Sequence, residues 1–397
     1  MIKKFIHIKP YRSKQEFTLD NVIAYTLAAA FGCSLNKMFE ISDLNLHELR
    51  QTYTNAIRLE TLKNANDALV NKIAELDIFP LWDIIPNKRL SDADGQKFEI
   101  RLETIKSRHS SKFFGLAKGI VPYTLITNYV PINSRIISPN EHESHFTFDI
   151  IYNNTSEIQP DMITGDMHSI NQLNFFILDA INVEFVPSYR NIYDKSKKIY
   201  CIGDPKQYEG LIKPFGQINI NLIKEQSKTI EKMLLSLILQ ETKQSIIVKK
   251  LSSHKRYGRL KKALWEYNKI LSSIHILNLI DNKELRRNIK TARNRTESFH
   301  QLQSKIRKVH GGKFSGRTIL ENEIWNQSAR LVANMSIAYN SLILNDLLKK
   351  YPDLKSSTSK ISPIAWRHIN FTGKYTFKEK KSLPDLKEII EKLKKWL

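Results

Sequence analysis

A chain of 397 residues, 41% hydrophobic and 10% aromatic, carries enough apolar material for two or three domains, which excludes an intrinsically disordered protein. Its 62 Lys and Arg against 40 Asp and Glu leave a formal charge of +22, a field that recruits polyanions; nucleic acid is the expected partner and a lysine-rich proteome the plain alternative. Cys33 and Cys201 make neither a zinc spacing nor a disulfide framework, "MIKKFIHIKPYRSKQ" lacks the apolar stretch of a signal peptide, and "VIAYTLAAAFGC" is too short for a bilayer, so a soluble cytoplasmic protein without membrane association is expected.

Up to about Trp82 the pattern is helical. "NVIAYTLAAAFG" stops at Gly32, and "ISDLNLHELRQTYTNAIRLETLKNANDALVNKIAEL" repeats apolar positions at helical spacing behind Ser42 or Asp43 as cap. Pro80 and Pro86 bracket a junction. Beyond Leu90 the period changes: "KFEIRLETI" alternates, "GIVPYTLITNYV" is rich in β-formers and "SRIISP" makes a third strand, together a meander. "NEHESHFTFDIIYNN" reads as a helix, Met162–Thr164 as a strand, "SINQLNFFILDAIN" as a helix and "VEFVPSY" as a fifth strand. After Lys195 strand signals stop, and 199–287 reads as mostly helical, with the basic run "KKLSSHKRYGRLKKALWEYNKI". "ENEIWNQSARLVANMSIAYNSLILNDLLKKY" carries an apolar stripe through Ile324, Leu331, Met335, Ala338 and Leu342.

Three strands, helix, strand, helix, strand is the order of a ribonuclease H-like α/β fold, a mixed sheet of antiparallel hairpins and parallel crossovers. The expected division is a helical amino-terminal scaffold (1–84), the first part of the catalytic core (85–198), a helical basic insertion (199–287), closing helices of the core (288–350) and a tail (351–397). In that fold the first and fourth strands are neighbours, which brings Asp94 near Asp166. Paired carboxylates are hard, acceptor-only ligands suited to Mg2+ or Mn2+, and two such ions serve phosphoryl transfer. The plain alternatives are an Asp-Gly turn at Asp94 and a helix N-cap at Asp166. Both residues standing in the matching topological places on so basic a chain favours the metal.

Residue identities go further. "SDADGQKFE", "KFFGLAKGI", "NEHESHFTFDIIYNNTSEIQPDMITGDMHSINQLNF", "LSSHKRYGRLKKALWEY", "RTESFHQL", "ENEIWNQSARLVAN" and "SPIAWRHINFTGKY" follow one another here. From about Asn21 to Phe377 the chain resembles the carboxy-terminal catalytic region of the Tn3 family of replicative, class II transposases. The resemblance implies an Asp-Asp-Glu triad of metal ligands and catalytic groups: Asp94 in "DGQ", Asp166 beside Gly165, and Glu297 in "RTESFHQL", where Thr296 replaces the usual glycine. Glu323 in "ENEIW" is the rival for the third place; motif position favours Glu297.

The same resemblance implies metal-dependent DNA cleavage and strand transfer, with transposon ends, target DNA and a second copy of the chain in a homodimer as partners, in association with the bacterial nucleoid. His168 would touch the scissile phosphate, orient Asp166 or cap the helix; His300, one turn past Glu297, is expected to be structural. Lys255, Arg256, Arg259, Lys261 and Lys262 would neutralise DNA phosphates, a solvated helix face being the alternative. Trp265, Trp325 and Trp366 are expected in cores. Family members are much longer, so a truncated or split copy is expected. The competing readings are a catalytically silent DNA-binding remnant and a standalone ribonuclease H-like nuclease.

Overall fold

The computed structural model of the chain describes residues 1–8, 17–255, 258–313, 316–378, 388–389 and 391–392. Three longer helices lead, α1 (Leu19–Phe31), α2 (Leu46–Ala56) and α3 (Leu59–Ala74), with a short helical segment, Leu35–Glu40, between the first two. Thr18 caps α1, its hydroxyl accepting from the Asn21 N–H at 3.3 Å, and Gly32 ends it in the left-handed region at φ 70°. The long pattern after Ile41 is two helices, because the chain turns extended at Ile57 and Arg58. Asn45 caps the first of them. Asp43, expected as a cap, instead accepts from the Phe377 and Lys378 N–H groups at 2.9 and 2.8 Å, pinning the far end of the chain.

The main sheet is built on β1 (Leu90–Gly95), β2 (Lys118–Thr127), β3 (Val130–Ile137), β4 (Met162–Thr164) and β5 (Glu184–Phe185) in the order β3-β2-β1-β4-β5, and two short strands, Phe98–Glu99 and Arg108–His109, also pair with β2. β1, β2 and β3 pair antiparallel, whereas β1, β4 and β5 pair parallel through crossovers containing α4 (Thr147–Tyr152) and α5 (Asn174–Asp179). The fold is therefore mixed α/β around a mixed sheet. The first strand lies upstream of "KFEIRLETI", of which only Phe98–Glu99 pairs with β2. Buried Ser91 and Asp92 hide β1 from an alternation count.

Beyond β5 most of the segment is helical, but the expectation that strands stop after Lys195 fails at 200–217, where Tyr200–Cys201 pairs with Gly216–Gln217 in a separate two-stranded sheet. The segment is too rich in Gly and Pro for a helix. Helices α6 (Ile220–Ile238), α7 (Gln244–Ser253) and α8 (Gly258–Asp281) follow. Asn282 caps α9 (Lys283–Lys308), which runs unbroken across the expected boundary at 287–288. α10 (Ile319–Lys350) packs against α1 and α3 on one side and β3 on the other.

α10 seals the sheet's edge. Residues 132, 134 and 136 turn the same backbone edge outward, and an open edge invites pairing with other chains. Arg330 donates to the Ile132 carbonyl at 2.6 Å and Gln327 to that of Ser134 at 2.8 Å, while Glu323 accepts from the Ile136 N–H at 3.0 Å. Spacings of four and three place all three on one helix face. Trp325 is buried in the core as expected. Trp265 and Leu342 are surface residues, 36% and 50% exposed. No helix among the described residues is long and apolar enough to cross a membrane.

Candidate metal centre

β1 and β4 run parallel with Asp92 opposite Thr164. Asp94 and Asp166 each lie two residues beyond that pair, so the carboxylates emerge at the same end of neighbouring strands. Asp94, Asp166 and Glu143 offer ligand oxygens within 4.8 Å of one another. On its other side Asp94 forms a second such group with Glu297 and His300, carried by α9. The structure thus gathers all three acids of the expected triad around Asp94.

Glu323 is not among them: its carboxylate takes the Ile136 N–H, with the Lys106 ammonium at 3.9 Å. Asp166 does cap a short turn, Oδ1 accepting from the His168 and Ser169 N–H groups at 2.7 and 3.2 Å. Capping and metal binding are compatible, since a carboxylate has four lone-pair sites. A Cβ on Gly165 would collide with Ser169 Oγ, so glycine is what lets this turn close against the strand end.

Each residue of "DGQ" has a local task. Asp94 supplies the shared carboxylate. Gly95 leaves room for Glu143, because a Cβ there would lie 2.5 Å from Glu143 Oε1. Gln96 donates to the His300 carbonyl at 3.0 Å and to Ser304 Oγ at 2.7 Å, fastening the strand end to α9.

The site concentrates buried negative charge. Asp92, one pleat earlier on the same face, is pushed up to about 7 by burial and then by the Asp94 charge, with Thr296 and Arg293 opposing. Asp94 is raised by burial and by Asp166, and Glu143 reaches about 8 through burial and then Asp94. Burial holds the His300 imidazole down at about 4, hence neutral. Asp92 Oδ1, Glu143 Oε2 and His300 Nε2 are buried without a hydrogen-bond partner. Orphaned acceptors among mutually repelling carboxylates fit a hard divalent cation.

Sequence reasoning missed Glu143 and Asp92. Alternation in "SDADG" carries a signal for Asp92, two residues before Asp94 on one strand face. Glu143 has no comparable local signal. Of the basic run, Lys255, Arg259 and Lys262 are exposed, and Arg256 lies outside the described residues. Arg259 meets Glu225 at 2.5 Å, and Lys261 lies 4.9 Å over the Trp265 ring.

Carboxylates converging at parallel strand ends beneath a helix define a mixed α/β domain with a candidate metal centre. The chain belongs to the Tn3 transposase DDE domain family, whose model matches residues 1–375. It is 23% identical over 384 residues to the transposase for transposon gamma-delta of Escherichia coli (strain K12), covering 94% of this chain and 38% of that protein. The transposase for transposon Tn4556 of Streptomyces fradiae is 24% identical over 379 residues, 92% of this chain and 41% of the relative. For the transposase for transposon Tn1546 of Enterococcus faecium the values are 24% over 390 residues, 96% and 38%. The chain spans about two fifths of the length of these curated relatives.

Proposed function

We propose that this chain acts as the catalytic domain of a DDE-type DNA transposase, cleaving at transposon ends and joining the freed ends to target DNA on a ribonuclease H-like frame. One observation carries the reading: Asp94 is common to two ligand groups, one reached by Asp166 and the other by Glu297. The strand order β3-β2-β1-β4-β5, with parallel β1 and β4 at its centre, supports the fold assignment.

Asp94, Asp166 and Glu297 would hold Mg2+ or Mn2+. Two such ions, when bound, supply activation of an attacking oxygen and stabilisation of the leaving one. The chain's own part is positioning. The turn at Asp166 fixes that carboxylate through two backbone N–H groups, and Gln96 ties Asp94 to the helix bearing Glu297. In cleavage, water would displace the 3′ oxygen at the scissile phosphate, and the 3′ hydroxyl would then attack a target phosphodiester, one P–O bond forming as one breaks. Lys255, Arg259, Lys261 and Lys262 would neutralise phosphates along the duplex. The Arg259–Glu225 pair is solvent-exposed and therefore cheap to exchange for a phosphate.

The test is cleavage of a labelled duplex carrying a transposon end, with Mn2+ or Mg2+. Expected is metal-dependent nicking or strand transfer that Asp94→Asn abolishes while DNA binding persists. Cleavage unaffected by Asp94→Asn would overturn the assignment of the site. DNA binding without any metal-dependent cleavage would favour a silent DNA-binding domain.

A further inference from the structure

Resting on the metal-centre reading above, we propose that Glu143 is a fourth carboxylate ligand of that centre, completing with Asp94 and Asp166 one cation position, and that Gly95 is glycine to admit it. Glu143 opens the short turn Glu143–His145 that precedes α4. Side chains from two directions fix the turn: Gln244 of α7 donates to the Ser144 carbonyl at 2.9 Å and Asn171 to the same oxygen at 2.7 Å. The glutamate is thus held at the site by residues distant in sequence.

Its burial demands an explanation. Glu143 is 8% exposed, yet Oε2 has no hydrogen-bond partner, and the nearest ammonium, Lys97 Nζ, is 3.8 Å from Oε1, beyond hydrogen-bond reach. A buried carboxylate with one oxygen unpartnered and its ammonium no nearer than 3.8 Å is expensive, and this one lies against two further carboxylates that repel it. A divalent cation between the three satisfies the orphan oxygen and removes the repulsion together. Gly95 fits the same purpose, since a Cβ would strike both Glu143 Oε1 and, at 2.6 Å, Val121 Cγ1. The competing account is a protonated glutamate that merely fills space beside Asp94. Glutamine is the isostere of that neutral form, so Glu143→Gln separates the two.

The experiment is calorimetric titration of the full chain with MnCl2, comparing wild type, Asp94→Asn, Glu143→Gln and Glu143→Asp, each checked for a cooperative melt. Expected is saturable Mn2+ binding in wild type, lost in Asp94→Asn and weakened at least about tenfold in Glu143→Gln. Glu143→Asp, which keeps the charge but withdraws it by one methylene, should also bind more weakly; it decides the matter should the glutamine variant not fold. Wild-type affinity in Glu143→Gln, or in Glu143→Asp where that variant decides, overturns the role of Glu143 and leaves the metal centre standing provided Asp94→Asn still loses binding. Wild-type binding by Asp94→Asn overturns the centre itself and this inference with it.

Discussion

Asp94 and Asp166 stand level at the ends of two parallel, adjacent strands, each two residues past the Asp92–Thr164 pair, and their carboxylates close to within 4.8 Å. The Gly95 N–H, Arg293 and Lys97 offset the charge on Asp94 only in part. Burial and mutual repulsion raise Asp94, so this end of the sheet is destabilising without a cation.

Asp94→Asn should therefore raise the melting temperature of the metal-free protein, by about 1 °C for each ~1 kcal/mol of repulsion relieved. Mn2+ should stabilise wild type in proportion to its binding and leave the variant unmoved. Thermal melts with EDTA and with Mn2+ check both halves.

Arg330 is 1% exposed, holds the Ile132 carbonyl and faces Asp67 at 3.8 Å. Arg330→Ala leaves an edge carbonyl of β3 unsatisfied and a carboxylate unpaired, a loss of roughly 3–5 kcal/mol. Urea unfolding measures it. Because the residue serves the sheet's outer edge, Mn2+ affinity of the folded fraction should stay as in wild type.

His275 is buried between the Phe175 and Tyr189 rings and bonded to the Pro187 carbonyl, and burial lowers it from 6.5 to about 4. Between those values the unfolded chain binds the extra proton, so stability falls as pH drops below 6.5 and levels off below about 4. The stabilisation removed is at most about 3 kcal/mol. His275→Gln should show a flatter stability profile across that window, measured by denaturation at each pH.

How far the sequence carried depends on how local each signal was. Asp94 and Asp166 were legible because an acid at a strand end is a short-range pattern, and the strand order then brings the two ends together. Glu143 was not, because its place depends on Gln244, a hundred residues away, and on an absent side chain at Gly95. Tyr200–Cys201 was missed because two-residue strands carry no periodicity. Asp43 was misread as a cap since its partners, Phe377 and Lys378, lie at the other end of the chain. Motif position favoured Glu297 over Glu323, and the neighbouring β3 edge adds that Glu323 is already engaged.

Lys255, Lys261 and Lys262 should contribute to DNA affinity through counterion release. Replacing all three by Glu should weaken binding to every duplex alike and reduce the slope of log K against log salt by about one for each phosphate no longer neutralised. Fluorescence anisotropy over a salt series measures this, and an unchanged slope would assign the run to a solvated face.

The most direct measurement is anomalous diffraction from crystals of the chain soaked in Mn2+. The account predicts manganese peaks at the carboxylates of Asp94, one shared with Asp166 and one with Glu297. Manganese absent from Asp94 in crystals where it binds elsewhere, or bound at Glu323 instead of Glu297, would contradict it.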